Sequence, residues 1–430
     1  MLVNRRGLLA AALALPAIGR SRVAGAETRG DATPQLQRAI DQAQANGGVA
    51  TIPAGANYVS GLKIMGDMRL VGLASSSRLI AAGTGPVLTI ERADAVAIEN
   101  VAFDGGGRGP GGEAGLIQGR DVANLNVVDC VVERASCYGL RLEHCGGRIE
   151  RSVFRALAQS AVHSLNATGL TIADNSVADC GANGLQVWRS ALGYDGAIIR
   201  GNRIERIRAD PGGDGPFGNA ISVFRAGGVS CSGNVIRGAA FSAIRFNSAS
   251  DAVIADNNCV DIGETAIYVE FGFQGAVVSS NVIDGASTGV SVTNFDQGGR
   301  LAAVTGNVAR NLVKQLPQGG EIYGVGVHVE ADTIVSGNAV DNANFAGLSL
   351  GYGVGLRNVI AASNVLNDCG YGVAVSVAPG AGGATIRDNR IARARRGAIV
   401  GMAWDAVASA DLVAEAGKYP LLAISGNDVQ

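Results

Sequence analysis

The sequence predicts an all-β solenoid, in which the chain coils about thirteen times and each coil stacks on the next. The first observation is a short strand that recurs and ends in Asn, as at 170–177, 197–204 and 228–236. The second is a following strand that opens on a small residue and carries apolar residues two apart, as at 184–187. This period of two indicates strands rather than helices. Because one such repeat cannot bury its own apolar face, neighbouring repeats must stack.

The recurring Asn keeps its register through almost the whole chain, with a period of 22 to 26 residues that is interrupted by insertions. Asn tolerates the left-handed backbone of a tight turn, and identical amides stacked at strand spacing can hydrogen-bond along the axis. We therefore expect a structural ladder. Its predicted members are Asn175, Asn202, Asn234, Asn257, Asn281, Asn307, Asn338, Asn364 and Asn389, extended by Asn100 and Asn427, with Cys130 and Ser152 in equivalent positions.

Residues 1–26 have the features of an export signal. Arg5 and Arg6 precede a short apolar run at 8–15, and an Ala-x-Ala cleavage site follows at 24–26. Paired arginines of this kind are typical of the twin-arginine route, which exports folded proteins. The sequence thus predicts cleavage of a twin-arginine signal peptide at 1–26 and a periplasmic or secreted protein.

Composition excludes several partners. The chain has 35 basic and 37 acidic residues, and removal of the four arginines in the signal leaves 31 basic residues and a net charge of −6. Without a basic run, no nucleic-acid partner is expected. No stretch outside the signal reaches 18 apolar residues, so no membrane span is expected after cleavage. The seven cysteines lack metal-ligand spacing and are predicted to be small buried core residues.

The two ends of the domain at 27–430 differ from the repeat. Thr33 and Pro34 are predicted to start an amphipathic helix, with Thr33 as its N-cap, that covers the open end of the stack. This helix belongs to an N-terminal cap and first coil at 27–75. At the other end, 401–430 is an irregular segment followed by the last coil, and a short helix is expected within 401–419.

Several of these segments together resemble a known superfamily. Residues 31–34, 36–41, 47–55 and 70–72, followed by the Asn coils, resemble the pectin-lyase-like right-handed parallel β-helix superfamily. With its paired arginines, the chain also resembles the uncharacterised twin-arginine-translocated repetitive proteins of bacteria. The resemblance implies a single-stranded right-handed parallel β-helix with an N-terminal capping helix. It implies little about chemistry, because the superfamily includes lyases, hydrolases, epimerases, tailspikes and adhesins.

The chain departs from the catalytic motifs of that superfamily. Its hydrolases carry acidic motifs just before the small-residue strand, whereas the matching positions at 182–184, 264–266 and 322–324 lack paired carboxylates. Glycoside hydrolysis needs such a pair. The calcium-holding Asp clusters of the lyases and the epimerase motif are also missing. We therefore predict no metal and no cofactor, and calcium has no support.

The outward face of the small-residue strands is the predicted binding surface. If Leu185 and Val187 point inward, Gln186 and Trp188 point outward, and the same parity in each coil aligns aromatic, basic and acidic side chains. Sugars bind such mixtures, since rings stack on their apolar faces and Arg pairs with acidic groups. Insertions at 208–218 and 314–321 are predicted to wall the groove. The predicted substrate-binding residues are His163, Trp188, Phe224, Arg225, Asn247, Asp214 and His328.

A uronan lyase would need a cation beside the substrate carboxylate and a base that removes the adjacent proton. Arg245 or Arg225 could supply the cation, and Tyr268, His163 or His328 the base. Arg245, Tyr268 and Glu270 are therefore the predicted catalytic residues.

Three functions follow as hypotheses. The first is an exported envelope protein that binds an acidic polysaccharide, with β-elimination as a candidate activity. The alternative is a non-catalytic structural or adhesive repeat protein. The third is a hydrolase acting through Asp210 or Asp214. The sequence does not decide between an enzyme and a binding protein, nor does it define the glycan or the oligomeric state.

Overall fold

The computed structural model describes residues 30–73, 76–108, 110, 113–213, 215–315 and 323–430. Residues Asp31–Gln430 form one compact unit. The predicted signal peptide at 1–26 lies outside the described residues. None of the helices within the described ranges is long and apolar enough to cross a membrane.

The fold class predicted from the repeat is confirmed: the chain forms an all-β right-handed parallel solenoid of about 13 turns with one N-terminal helix. Each turn contributes strands to three faces. The first face precedes the ladder position, the second follows it, and the third carries the small-residue strands. The second face is a separate 15-stranded sheet. The first and third faces join into a 27-stranded sheet, because the long strands Leu88–Glu99, Gly115–Val128 and Tyr138–Glu150 bend around the corner between them.

The strands have the following bounds. The first face contains Val49–Ile52, Met68–Gly72, the C-terminal halves of the three long strands, Thr171–Ala173, Ile198–Arg200, Ser230–Ser232, Ala252–Ala255, Gln274–Ser279, Arg300–Thr305, Thr333–Ser336, Val359–Ala362, Ala384–Arg387 and Leu422–Ser425. The second face contains Gly55–Val59, Ser77–Ala81, Ala102–Arg108, Val131–Ala135, Val153–Leu157, Ser176–Cys180, Arg203–Ile207, Val235–Ala239, Asn258–Val260, Val282–Asp284, Val308–Leu312, Ala339–Ala343, Val365–Asn367, Arg390–Ala392 and Asp428–Val429. The third face contains Leu62–Ile64, the N-terminal halves of the long strands, Val162–Leu165, Leu185–Tyr194, Ile221–Gly227, Ile244–Asn247, Thr265–Glu270, Thr288–Val292, Val325–Val329, Ala346–Leu350, Tyr371–Ser376 and Gly397–Ala403.

The N-terminal helix spans Thr33–Ala45 and buries Leu36, Ile40 and Ala43 against the first turns of the solenoid. Ala32, not Thr33, is its N-cap residue, so the predicted capping role of Thr33 is wrong. Instead, Thr33 Oγ1 accepts a 2.8 Å hydrogen bond from the backbone N–H of Ser60. This bond fastens the helix to the first coil.

The core is a stack of aliphatic side chains that repeat at each turn. Leu185 and Val187 point inward, are fully buried, and lie in register with Ile221 and Val223 of the next turn. Full burial of such a side chain contributes about 1.5–3 kcal/mol. The seven cysteines all fall within the described ranges, where they are buried and free of disulfides.

The Asn ladder runs along the corner between the first and second faces. In each turn, Asn Oδ1 accepts hydrogen bonds from the backbone N–H and the Nδ2 of the Asn one turn earlier, as in Asn175 to Asn202. Asn Nδ2 also donates to a carbonyl of the preceding turn, Ile149 in the case of Asn175. At the N-terminal end, Ser152 N–H donates to Asn175 Oδ1 and Cys130 N–H donates to Ser152 Oγ. The series ends at Asn427.

Asn100 is not a ladder member, contrary to the sequence prediction. Val101 occupies the ladder position, since its carbonyl accepts from Val131 N–H just as the Cys130 carbonyl accepts from Val153 N–H. Asn100 has the left-handed φ of 59° that belongs to the preceding residue in each turn, such as Asp174 at 57°. The ladder therefore needs Asn for its hydrogen bonds, and the left-handed conformation falls one residue earlier.

The irregular C-terminal segment contains a β-hairpin. Gly397–Ala403 pairs antiparallel with Ala406–Ser409, and the expected short helix is a single 3₁₀ turn at Ala416–Lys418. A second 3₁₀ turn lies at Phe295–Gln297.

Candidate functional site

The third face aligns the predicted site residues in two adjacent outward columns. In the first column, Arg245 lies between Ser222 and Tyr268 of the neighbouring turns. The second column runs in register through Trp188, Phe224, Asn247 and Glu270. Neighbouring turns are about 4.8 Å apart, so register neighbours can contact each other, as Trp188 does with Phe224 and Arg245 with Tyr268.

Aromatic rings form a continuous row at the N-terminal part of this face. The ring centres of His163 and Tyr138 lie 5.1 Å apart, those of His163 and Trp188 5.3 Å, and those of Trp188 and Phe224 5.7 Å. The Arg225 guanidinium lies 4.7 Å from the Phe224 ring centre and is exposed. The row ends in a ring and cation that face solvent.

His163 is a buried member of this row and packs between Tyr138 and Trp188. Its ring is only 5% exposed, and its Nδ1 lies 2.8 Å from Gln186 Oε1. Burial lowers the pKa of His163, an effect that outweighs the hydrogen bond that its ring donates to Gln186 Oε1. The outward parity predicted for both residues is observed in the strand register, but their side chains are covered. His163 is thus a neutral support for Trp188 and does not line the cavity beside it.

We define the aromatic pocket as a cavity of about 430 Å³ beside this row. The Trp188 indole N–H donates a 3.1 Å hydrogen bond to Ser222 Oγ, which fixes the plane of the ring. The pocket is lined by Trp188, Gly215, Pro216, Ser222, Phe224, Arg245, Asn247 and Phe271. Four of these residues are predicted site residues, and the insertion at 208–218 supplies Gly215 and Pro216 as a wall.

A second, shorter polar ladder holds that insertion in place. Ser160, Asn183, Asn219 and Ser242 stack on successive turns at the corner before the third face, and all are buried. Asn183 Nδ2 donates to the Pro216 carbonyl at 3.1 Å, and Asn219 Nδ2 donates to the Gly215 carbonyl at 2.8 Å. This ladder is not among the features predicted from the sequence. Its signal is an Asn directly before the small residue that opens the strand, as in Asn183 and Asn219.

Arg245 and Glu270 form a nearly buried ion pair at the edge of the aromatic pocket. Arg245 Nε donates to Glu270 Oε1 at 2.6 Å, and the two side chains are 13% and 2% exposed. Arg245 Nη1 also donates to the Gly215 carbonyl at 2.7 Å, and Asn247 Nδ2 donates to Glu270 Oε1 at 2.8 Å. Burial lowers the pKa of Arg245, but the hydrogen bond and charge of Glu270 raise it more. Arg245 is therefore a charged clamp that joins the insertion to the next turn.

Tyr268 lies beside this pair, with its ring centre 5.2 Å from the Arg245 guanidinium. Burial raises the pKa of Tyr268, and the negative charge of Glu270 raises it further. Its phenol stays protonated at neutral pH, so it can donate and accept hydrogen bonds but is a poor general base.

A second cavity, of about 440 Å³, continues the groove toward the C-terminus, and we call it the hairpin pocket. His328 Nδ1 lies 3.1 Å from Ser349 Oγ, and its Nε2 lies 3.6 Å from Glu330 Oε1. Burial raises the pKa of Glu330, but its bonds to His328, Phe295 and Thr293 lower it more. The hairpin pocket is lined by Glu264, Thr265, Tyr268, Thr288, Ser291, Val325, His328, Phe345, Ser349, Gly351, Tyr352, Ala374, Met402, Trp404 and Asp405.

The remaining predicted residues lie elsewhere. Asp214 and most of the insertion at 314–321 are outside the described residues, while Lys314 forms an ion pair with Asp261 at another corner. Three pocket residues are not predicted from the sequence: Phe271, which directly follows the strand Thr265–Glu270, and Trp404 and Asp405, which lie in the C-terminal hairpin outside the repeat. Within the part of the chain that the structure describes, no three His, Cys, Asp or Glu side chains gather as a metal site would require.

Comparison with known proteins identifies the class of fold. A family model described as "Right handed beta helix region" matches residues 138–309. Among solved structures, the N-terminal fragment of gene product 12 of bacteriophage phi29 is 14% identical, with a TM-score of 0.53, over 86% of this chain and 68% of that chain. None of the curated proteins matches the sequence.

Two further similar structures have the following measures. The A-module of the Azotobacter vinelandii mannuronan C-5 epimerase AlgE6 is 15% identical, with a TM-score of 0.49, over 93% of this chain and 96% of that chain. A tailspike protein variant of Escherichia coli bacteriophage HK620, in complex with a pentasaccharide, is 14% identical, with a TM-score of 0.47, over 84% and 68%. The family match and the phi29 structure support the right-handed parallel β-helix fold alone, and the chemistry has to be argued from the site itself.

Proposed function

We propose that the third face binds a polysaccharide, with the Trp188 and Phe224 rings as its principal contacts. The observation that carries this proposal is the aromatic pocket, where two rings stand beside the amide of Asn247 and the guanidinium of Arg245 in an open cavity. A sugar ring presents an apolar face that packs on aromatic side chains, and its hydroxyls bond to amides and charged groups.

An extended glycan suits the site better than a single sugar. Arg245 lines the aromatic pocket, and Tyr268, its register neighbour on the next turn, lines the hairpin pocket. The two cavities thus follow one face along the stacking direction. A linear chain of sugar units would contact several turns at once, and each turn adds affinity to the same ligand.

The preference for an acidic glycan depends on Arg225. Arg245 is already neutralised by Glu270, whereas Arg225 is exposed, stacks on Phe224 and bonds only to the Ser190 carbonyl among its described hydrogen-bond partners. A uronate carboxylate on a sugar stacked at Phe224 would pair with Arg225. With the twin-arginine signal, the proposed ligand is a glycan of the bacterial envelope, met in the periplasm or outside the cell.

Binding without cleavage is the form of the function that the geometry favours. Of the predicted catalytic residues, Arg245 is paired with Glu270 and Tyr268 has a pKa raised by burial, so this pair supplies neither a free cation nor a base for β-elimination. We therefore expect no release of unsaturated uronates. The alternative of a purely structural repeat protein differs in predicting no glycan affinity at all.

The test uses the mature protein, residues 27–430, screened against acidic and neutral oligosaccharides, followed by calorimetric titration of the best ligand. Trp188→Ala and Phe224→Ala should each weaken binding about tenfold, equal to about 1.4 kcal/mol. Tyr194→Ala is the matched control, because Tyr194 is an exposed aromatic residue outside both pockets. Unchanged affinity in both pocket variants, or no glycan bound by the wild type, would reject the proposal.

A further inference from the structure

A hydroxyl, an imidazole and a carboxylate lie in series at the hairpin pocket. Ser349 and His328 are register neighbours on adjacent turns of the third face, and Ser349 Oγ lies 3.1 Å from His328 Nδ1. On the other side of the ring, His328 Nε2 lies 3.6 Å from Glu330 Oε1. We call these three residues the Ser–His–Glu triad, since one imidazole has a hydroxyl at one nitrogen and a carboxylate at the other.

The carboxylate of the triad is held in place from the preceding turn. Glu330 follows His328 by two residues, so both side chains leave the same face of the chain. Thr293 Oγ1 donates to Glu330 Oε1 at 2.6 Å, and the Phe295 backbone N–H donates to Oε2 at 2.6 Å. The side chains of His328 and Glu330 are only 19% and 12% exposed. The carboxylate therefore keeps one orientation toward the ring.

This arrangement selects the tautomer of the imidazole. A carboxylate only accepts hydrogen bonds, so Glu330 favours the proton of neutral His328 on Nε2. Nδ1 then presents its lone pair to the Ser349 hydroxyl. A hydroxyl nucleophile, a base at hydrogen-bond distance and an acid that orients the base are the parts of a nucleophilic triad. The 3.6 Å separation exceeds a direct hydrogen bond, and such contacts tighten when a substrate closes the site.

The cavity leaves room beside the hydroxyl for a small acyl group. On the turn that follows Ser349, the register neighbour is Ala374, whose side chain is a single methyl group. Ser349, His328, Ala374 and Met402 all line the hairpin pocket, so the hydroxyl opens onto a partly apolar wall. Trp404 is in the same lining and carries an indole N–H that can donate to the oxyanion of a tetrahedral intermediate.

We propose that the Ser–His–Glu triad hydrolyses acyl esters carried by hydroxyls of the bound polysaccharide. Ser349 Oγ bonds to the ester carbonyl carbon while His328 Nδ1 takes the hydroxyl proton. The bond between that carbon and the sugar oxygen then breaks, and Nδ1 returns the proton to the sugar oxygen. Water attacks the acylated Ser349 and gives a proton to Nδ1. That proton passes to Ser349 Oγ as the carboxylic acid leaves.

Glu330 is a positioning residue in this scheme, because it acts through His328. It orients the ring and stabilises the imidazolium that forms in each step. The glycosidic bonds stay intact. The choice of a glycan ester rests on the proposed polysaccharide binding, but the triad would also meet any small ester that enters the cavity.

The experiment follows two esters with the protein of residues 27–430: acetate release from chemically O-acetylated polygalacturonate, and nitrophenol release from 4-nitrophenyl acetate. The wild type should hydrolyse both, and mass spectrometry after an acid quench should find one acetyl group on Ser349. Ser349→Ala and His328→Asn should each lower kcat at least about 100-fold. Glu330→Gln should lower kcat about 100-fold and leave KM unchanged, a split that a general loss of structure would not produce.

His144→Asn and Ser336→Ala are the matched controls and should keep wild-type rates, because neither residue lines a pocket of the groove. His144 is an exposed imidazole with Asp121 Oδ1 at 3.0 Å from its Nδ1, so it measures ester hydrolysis by a surface His–carboxylate pair.

The inference is overturned if the wild type releases no acetate from the polysaccharide, or if Ser349→Ala retains the wild-type rate. Glycan binding without any ester hydrolysis rejects the triad and leaves the proposed function standing. Hydrolysis of the small ester without glycan binding rejects the proposed function and, with it, the glycan ester as substrate.

Discussion

Asn202 Oδ1 accepts two hydrogen bonds of 3.0 Å from Asn175, one from the backbone N–H and one from the side-chain amide. The same pair of bonds links each Asn to the next along the buried corner, up to Asn427. An Asp could not donate from its side chain, and a Ser could satisfy only part of the pattern. The ladder therefore explains why one amide recurs in each turn from Asn175 to Asn427.

The central member Asn257 should be strongly sensitive to truncation. Asn257→Ala would leave Asn234 N–H and Nδ2 without their acceptor and the Cys231 carbonyl without its donor, all inside the corner. Unsatisfied buried groups cost about 1–3 kcal/mol each, so we expect a loss of about 3 kcal/mol in unfolding free energy, measured by denaturant titration.

Asn257→Ser is the control for that variant, because Ser152 occupies an equivalent position and its Oγ accepts from Cys130 N–H. The Ser variant should lose about half as much as the Ala variant. Equal losses in the two variants would show that the amide hydrogen bonds are not the source of the stability.

Glu270→Gln should have opposite effects on stability and on ligand binding. The change removes the charge that neutralises Arg245 in a nearly buried pair, and breaking such a pair costs about 3–5 kcal/mol. The unpaired guanidinium would then attract an anionic sugar at the pocket edge. We expect a lower melting temperature together with tighter binding of uronate oligosaccharides, measured on the same sample. Binding that weakens in parallel with stability would show that the pair only holds the pocket wall and that the freed Arg245 does not bind the anionic sugar.

A buried charge network on the second face should make the protein sensitive to acid. Asp104 is fully buried and accepts from Arg78 at 2.9 Å, while Glu133 accepts from Arg78 at 2.5 Å and from Arg155 at 2.7 Å. Burial raises the pKa of both carboxyls, but their bonds to arginines lower each one more, so the folded values lie below the ordinary ones. This contribution is present above about pH 4 and is lost as the pH falls through the folded values.

Asp104→Asn tests that network. At pH 7 the variant should lose about 3 kcal/mol of unfolding free energy, since Arg134 loses its carboxylate partner and Arg78 keeps only Glu133. The difference from the wild type should shrink as the pH falls below about 4, because the wild-type carboxyl then becomes protonated first in the unfolded state and, at lower pH, in the folded state. A difference that stays constant from pH 7 to pH 3 would exclude a charge effect.

The repeating part of the fold could be predicted from the sequence, whereas the exposure of individual side chains could not. Parity in each turn aligned Trp188, Phe224, Asn247 and Glu270 correctly, because a strand leaves only two directions for a side chain. Parity does not determine exposure, and His163 points outward yet is covered by neighbouring rings.

Two further features could not be predicted from the sequence: the paths of segments outside the repeat and the exact ladder position near Asn100. The hairpin with Trp404 and the insertion at 208–218 follow no repeat, so their path over the groove is set by contacts such as Arg245 with Gly215. Asn100 was misplaced by one residue because Asn also suits the left-handed position that precedes the ladder. Local residue preference could not distinguish the two positions.

Asp195 provides a pH-dependent prediction of the opposite sign. Its side chain is fully buried, and burial raises its pKa to about 6, only partly offset by Arg189 Nη1 at 3.8 Å and by the Ala197 N–H. Because the folded pKa is above the ordinary value of 3.8, the charged form opposes folding. The penalty is absent near pH 4, grows as the pH rises through 6, and amounts to about 3 kcal/mol when fully present.

Asp195→Asn should therefore melt at a higher temperature than the wild type at pH 7.5 and at the same temperature at pH 4. Asp256→Asn, at an exposed site, controls for the exchange of Asp for Asn. A stabilisation by Asp195→Asn that is equal at both pH values would mean that the buried charge is not its cause.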